Sequence, residues 1–253
     1  MRTAIPSLLV AAALTSAIPL LATPAFADPD ALAKVVDGKC VPDQQSSGSP
    51  APCKLVDLKD GYVVLKDLAG ASQYLVIATD HVSGIESPTL EQPAAPNYFE
   101  AAWEARQDVD ASLGRDPSRA DIGLAINSVN GRTQNRLHIH VDCMRGDVVA
   151  ALAAAEPSIG ASWALLPALL VGHPYRAMKI EAADLAAVNP FALLASGDPA
   201  VAADMGDQTL AVVGATFSDG KPGFYLLTDK VGATVGDLAS SEELQDHNCA
   251  IAK

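Results

Sequence analysis

The sequence predicts an α+β fold built on an antiparallel sheet. Paired runs of β-branched and apolar residues joined by short polar turns point to hairpins, and amphipathic helical segments are interspersed among them. Composition agrees: of 253 residues, 49% are hydrophobic and 19% charged, which is enough apolar surface to offset the entropy of ordering. No composition shift marks a linker, so residues 28–253 are expected to form a single domain.

In chain order, Asp30–Gly38 reads as a short helix leading into a polar loop, Val41–Pro52. Gly61–Leu65 and Gln73–Ala78 are apolar, β-branched runs around the glycine-containing turn Lys66–Ser72, a hairpin pattern. After Pro93 and Pro96, Asn97 can cap a helix to about Leu113, with Phe99, Ala102, Trp103, Val109 and Leu113 on its buried stripe. Asp121–Ile126 and Asn135–Val141 read as strands around the polar loop Asn127–Gln134. Asp147–Ala155 is a helix, Ser162–Leu166 and Tyr175–Ile180 short strands, and Asp184–Val188 and Pro190–Ala195 helical. Leu210–Phe217 and Gly223–Thr228 form a second hairpin around Ser218-Asp219-Gly220, and Ser241–Asp246 is a last helix, with a capping serine and acids in its first turn. The two hairpins suggest a pseudo-duplicated arrangement of two hairpin-containing halves.

Residues 1–27 read as an export signal. Arg2 is their sole charge, an apolar run centred on Leu8–Leu14 follows, and Ala25-Phe26-Ala27 has the small-x-small form that signal peptidase cleaves. The alternative is an uncleaved anchor, because the apolar run approaches the length of a bilayer span. The other conspicuous apolar stretch, Trp163–Val171, is too short to span and contains Pro167. Export places the protein in the periplasm or at the outer face of the cytoplasmic membrane, where disulfides persist. Four cysteines allow three pairings. The polar loop between Cys40 and Cys53 can fold back on itself, which favours Cys40–Cys53 and leaves Cys143–Cys249.

Thirty acidic residues against 17 basic ones, a formal charge of −13, exclude a nucleic-acid partner and a broad electrostatic attachment to anionic lipid. They leave room for an anionic substrate met by a few local donors. The densest candidate site is Leu137-His138-Ile139-His140-Val141-Asp142. On a strand, His138, His140 and Asp142 share one face while Leu137, Ile139 and Val141 face the core. Two imidazoles on one strand face need partners, which points to function. Such a face could bind zinc and activate water. Alternatively, one histidine could attack phosphorus and carry a nucleotidyl group while its neighbour orients it.

The residues upstream decide between these. The run Asn127-Ser128-Val129-Asn130-Gly131-Arg132-Thr133-Gln134-Asn135-Arg136-Leu137-His138-Ile139-His140 resembles the histidine-triad superfamily: an Asn, a glycine-containing loop, a Gln, then alternating histidines. It departs from that pattern at the third triad position, which holds Asp142. Ile126–Cys143, Gly172-His173-Pro174-Tyr175, Asn189-Pro190-Phe191 and Glu243–Cys249 together resemble one branch, the bacterial CDP-diacylglycerol pyrophosphatases, over nearly all of residues 28–253. The resemblance implies a histidine-triad-like sheet with flanking helices and hydrolysis of CDP-diacylglycerol to CMP and phosphatidate in phospholipid metabolism. Access to the lipid would be from a membrane surface, with no metal or cofactor. It makes His140 the nucleophile and His138 its catalytic neighbour. Asn127, Arg132, Gln134 and Asn135 become substrate-binding residues, with His173 and His247 as further candidates. A broader nucleoside-diphosphate hydrolase, a cytidylyl transferase, a zinc hydrolase and an exported lipid- or nucleotide-binding protein without turnover are the alternatives.

Overall fold

The strands of the computed structural model, which describes Met1 and residues 28–252, assemble into one antiparallel sheet. The expected export segment lies outside the described residues. The strands are β1 (Leu55–Asp57), β2 (Tyr62–Lys66), β3 (Tyr74–Ala78), β4 (Ile122–Ile126), β5 (His138–Cys143), β6 (Ala164–Leu165), β7 (Arg176–Glu181), β8 (Leu210–Thr216) and β9 (Pro222–Thr228). Their spatial order is β1-β2-β3-β5-β4-β8-β9-β7-β6. Both expected hairpins are present, β2–β3 and β8–β9. The architecture is thus mixed, with a large antiparallel sheet and a few helices. No helix among the described residues is long and apolar enough to cross a membrane.

The main core lies between one sheet face and helix α3 (Tyr98–Leu113). The helix starts where the sequence places it, because Asn97 Oδ1 accepts the Glu100 N–H at 3.1 Å. It stops at Gly114, whose φ of 67° a side chain would disfavour. Trp103 is 1% exposed, packs edge-on against Phe224 at 4.9 Å and is flanked by the Arg106 and Arg119 guanidinium groups. Trp103→Ala should therefore destabilise the fold by about 3–5 kcal/mol, read from denaturant unfolding.

Ile139 and Val141 of β5 point into this core, and His138, His140 and Asp142 point to the opposite face, as the alternation predicts. That face is also covered. A second apolar cluster, including Val148 and Leu152 of α4 (Gly146–Ala155), packs over its β8–β9–β7 side. The C-terminal segment crosses its β4–β5 side, with Gln245 Nε2 donating to Gly123 O at 2.8 Å and to His140 O at 3.2 Å. All six residues of β5 are buried as a result.

The disulfides are Cys40–Cys53 and Cys143–Cys249, as expected. The second closes a sequence separation of 106 residues and holds the chain end against β5. Its removal by Cys143→Ala with Cys249→Ala should lower stability by about 4–5 kcal/mol on the loop-entropy scale, measured by chemical denaturation.

Four local expectations change. The polar loop after Cys40 is helical for half its length: α1 (Ala31–Val35) continues through a π-helical turn, Val36–Cys40, into α2 (Val41–Ser47). Pro42 lies in the first turn of α2, where its missing N–H is harmless, and Gly48 ends it. Asp184–Val188 is a turn and not a helix, because the Leu185 and Val188 carbonyls are taken by the Asn97 amide at 2.7 and 3.0 Å. The strand expected at Asn135 begins at His138, since the Asn135 and Leu137 N–H groups donate to Pro29 and Val82 carbonyls outside the sheet. Ser241–Asp246 reduces to a single 3₁₀ turn, Ser241–Leu244, pinned by Ser241 Oγ to the Ile126 and Leu210 carbonyls.

Candidate active site

Strand β5 brings two imidazoles together, with ring centroids 5.0 Å apart. His138 Nδ1 lies 2.7 Å from the Arg136 carbonyl. A carbonyl can only accept, so that nitrogen carries the proton and Nε2 keeps its lone pair. Burial, followed by the neighbouring His140, lowers the His138 pKa to about 4. Burial likewise lowers His140. Both rings are therefore neutral at pH 7, the state a nucleophile requires.

His140 Nδ1 is 2.6 Å from Gln73 Nε2, across the β3–β5 pairing. Its Nε2 is buried with no hydrogen-bond partner, 3.4 Å from Glu242 Oε2. An orphaned buried nitrogen costs about 1–3 kcal/mol, and such a debt is characteristic of a group that finds its partner in a bound ligand.

Glu242 is the residue the sequence reading missed. Asn127 Nδ2 donates to its carboxylate at 3.2 Å, and its backbone N–H donates to Asn127 Oδ1, also at 3.2 Å. Its other oxygen faces His247 Nε2 at 3.4 Å, while His247 Nδ1 bonds Asp142 Oδ2 at 2.8 Å. The bond to Asp142 and the contact with Glu242 push the His247 pKa up to about 10, so His247 is a cation. Burial alone would raise Glu242, but the contact with cationic His247 and the hydrogen bond from Asn127 outweigh it and hold Glu242 at about 2. A chain of alternating charge thus runs Asp142–His247–Glu242 and ends on His140. Asp142 is fully buried and anchored by the Cys143 N–H at 2.8 Å and the Ser72 hydroxyl at 3.1 Å.

This network sets a pH window for stability. His247 is raised above its ordinary 6.5, so its contribution is complete below pH 6.5 and is lost as pH rises toward 10. Glu242 is depressed below 4.5, so its contribution is complete above that pH and is lost toward 2.

The remaining expected residues separate into two groups. Asn127, His138, His140 and His247 converge. Arg132 does not offer a free charge: Glu86 takes both its terminal nitrogens, at 2.5 and 2.7 Å, and its side chain is 8% exposed. Gln134 holds the N-terminal segment, accepting the Leu32 N–H at 3.0 Å and donating to Asp28 O at 2.9 Å. Asn135 is exposed and ties its backbone to Pro29. His173 sits in a separate cluster, with Nδ1 2.6 Å from Asp237 Oδ2 and Nε2 3.6 Å from Glu243 Oε2. Gly131 lets the loop approach closely, since a Cβ there would lie 2.9 Å from the Ala239 carbonyl.

Zinc on the His138–His140–Asp142 face does not fit this geometry. Among the described residues, the ligand-type groups that converge are His173, Asp229 and Asp237, or Asp142 with the two bridged cysteines Cys143 and Cys249. Asp142 is turned instead toward His247.

Residues 27–253 match the family model described as CDP-diacylglycerol pyrophosphatase. The chain belongs to the CDP-diacylglycerol pyrophosphatase family. A curated relative, the CDP-diacylglycerol pyrophosphatase of Yersinia pestis, is 42% identical over 226 residues, covering 89% of this chain and 86% of its own length. As a member of this pyrophosphatase family the chain is an enzyme, a hydrolase of a pyrophosphate bond.

Proposed function

We propose that the chain hydrolyses CDP-diacylglycerol to CMP and phosphatidate through a CMP–histidine intermediate on His140. The observation that carries this reading is the buried, unpartnered Nε2 of a neutral His140, held between Gln73 and Glu242. The Nε2 lone pair attacks the cytidylyl phosphorus, and the bond from phosphorus to the bridging oxygen breaks. Phosphatidate leaves with that electron pair. Water then attacks the same phosphorus, the N–P bond breaks back to the ring, and CMP departs with a proton released. No step needs a metal. Asn127 is placed to donate to a phosphoryl oxygen once its amide leaves Glu242, and the positive charge that develops on the His140 ring is met by Glu242.

The nucleophilic tautomer carries its proton on Nδ1. Gln73 Oε1 is buried without a partner, and turning that amide over places it on Nδ1–H in exchange for the 3.0 Å bond to Asp67. A second reading has one supporting observation: the His138 tautomer is already fixed with Nε2 bare, which would suit His138 as the attacking group. Mapping the phosphorylated ring distinguishes the two.

The histidine-triad-like, pseudo-duplicated reading is supported by the strand order. Outward from the central β4–β8 pair, one half runs β4-β5-β3-β2 and the other β8-β9-β7-β6, the same order in each. Placement in the periplasm or on the outer membrane face is supported by the two disulfides and the apolar N-terminal sequence. Release of CMP from CDP-diacylglycerol, compared with CDP-choline and ADP-type diphosphates, tests the substrate. Equal turnover of all three would replace it with a broader nucleoside-diphosphate hydrolase.

A further inference from the structure

One end of the sheet gathers the loops that frame the site. Because every pairing is antiparallel, the C-terminal ends of β4, β6 and β9 and the N-terminal ends of β5, β7 and β8 lie together there. The loops leaving that end are joined to one another. Ser128 Oγ donates to Leu238 O at 2.5 Å, and Ser128 N–H to Ala239 O at 3.0 Å. His173 reaches Asp237 at 2.6 Å and Thr234 at 3.1 Å, while its backbone bridges to Leu170.

These linked loops carry most of the exposed large apolar side chains among the described residues: Val129, Leu165, Leu169, Val171, Val235 and Leu238. Leu165 is 66% exposed, Leu169 60% and Val235 107%. Within Trp163–Val171, Leu166 and Leu170 turn inward while Leu165, Leu169 and Val171 turn out. The stretch that is too short to span a bilayer is thus an apolar loop facing solvent. A concentration of this kind marks an interaction surface.

We propose that this end of the sheet docks on the lipid bilayer that carries the substrate, with those side chains inserted at the interface. The proposal rests on the lipid-substrate reading above. Two observations select a bilayer as the occupant. Asp28 and Pro29, whose carbonyls are bonded by Gln134 and Asn135, bring the start of the domain to this same end, so that residues 2–27, in the uncleaved-anchor reading, would enter the bilayer beside it. A chain of net charge −13 also has apolar insertion, and not charge attraction, as its means of holding an anionic membrane. Docking here brings the loop Asn127–Gln134, whose Asn127 lies in the candidate site, to the membrane surface.

The test compares two substrates in the full chain. Leu165→Ser with Leu169→Ser and Leu238→Ser should raise the apparent KM for CDP-diacylglycerol in phosphatidylcholine–phosphatidylglycerol vesicles by about tenfold or more. Turnover of a monomeric short-chain CDP-diacylglycerol should stay within about twofold of the parent, since none of the three contacts the reacting groups. Unchanged vesicle kinetics, or an equal loss on both substrates, overturns the proposal. A second measurement does not need activity. In a Trp163→Phe background, which leaves only buried Trp103, tryptophan at Leu169→Trp should be quenched by brominated lipid in such vesicles, and tryptophan at Leu68→Trp, on the β2–β3 turn at the opposite end, should not. Equal quenching at both positions, or none at Leu169, also overturns it. A chain that turns over neither substrate yet shows the quenching contrast would remove the substrate reading and leave the docking surface standing.

Discussion

His140→Ala is expected to leave CMP release at the background rate, a loss of about 10⁴-fold or more in kcat, because it deletes the group that forms the bond to phosphorus. The fold should survive. His140 lies on the covered face of β5, opposite the Ile139 and Val141 side that packs into the main core, and its neighbours there are polar. The loss should therefore appear with near-parental unfolding behaviour. His138→Ala should reduce the rate less, since in this scheme its ring holds the site geometry and does not form the covalent bond. A His138 variant that is dead beside a partly active His140 variant would reverse the two roles. Binding of substrate without turnover by His140→Ala would also exclude a non-catalytic binding protein, whose ligand release would be indifferent to the nucleophile.

Glu242→Gln carries the second largest expected effect. The carboxylate sits 3.4 Å from both His140 Nε2 and His247 Nε2, so its removal acts on both rings. During transfer the His140 ring becomes cationic, and loss of the facing anion should lower kcat by about 10²–10³-fold. KM should change far less, because the free substrate gains nothing from an anion beside its phosphates. His247 loses one of the two anions that raise its pKa to about 10. Its titration, followed by NMR of the ring protons, should move down toward 6.5, the ordinary value. The stability lost as pH rises should then be lost at lower pH than in the parent. A Glu242→Gln enzyme with full kcat and an unmoved His247 would show that the chain of charge is only structural.

The strand bearing the histidines was legible because alternation fixes which side chains share a face, and His138, His140 and Asp142 do. The disulfides were legible because a short loop between Cys40 and Cys53 leaves one pairing for the others. Glu242 was not, although a clue existed. If Cys143 pairs with Cys249, the acids just before Cys249 are drawn onto β5. The sequence instead attributes Glu242 and Glu243 to the first turn of a helix, where acids are also favourable. In the fold that turn is one 3₁₀ loop, and the two carboxylates face His140 and His247 on one side and His173 and Tyr175 on the other. Gln73 was hidden for a similar reason: it opens the expected strand Gln73–Ala78, and nothing local names its partner until β3 is placed beside β5. Arg132 was named as a substrate-binding residue from the resemblance alone; its ion pair with Glu86, 46 positions away, was not legible because no local pattern links the two.

The central claim is the covalent bond between His140 and the cytidylyl phosphorus, and rapid acid-free quenching with CDP-diacylglycerol radiolabelled in that phosphate tests it most directly. The labelled protein, digested and mapped by mass spectrometry, should carry one CMP on His140, and His140→Ala should carry none. A label on His138, or turnover without any labelled histidine, would contradict the account.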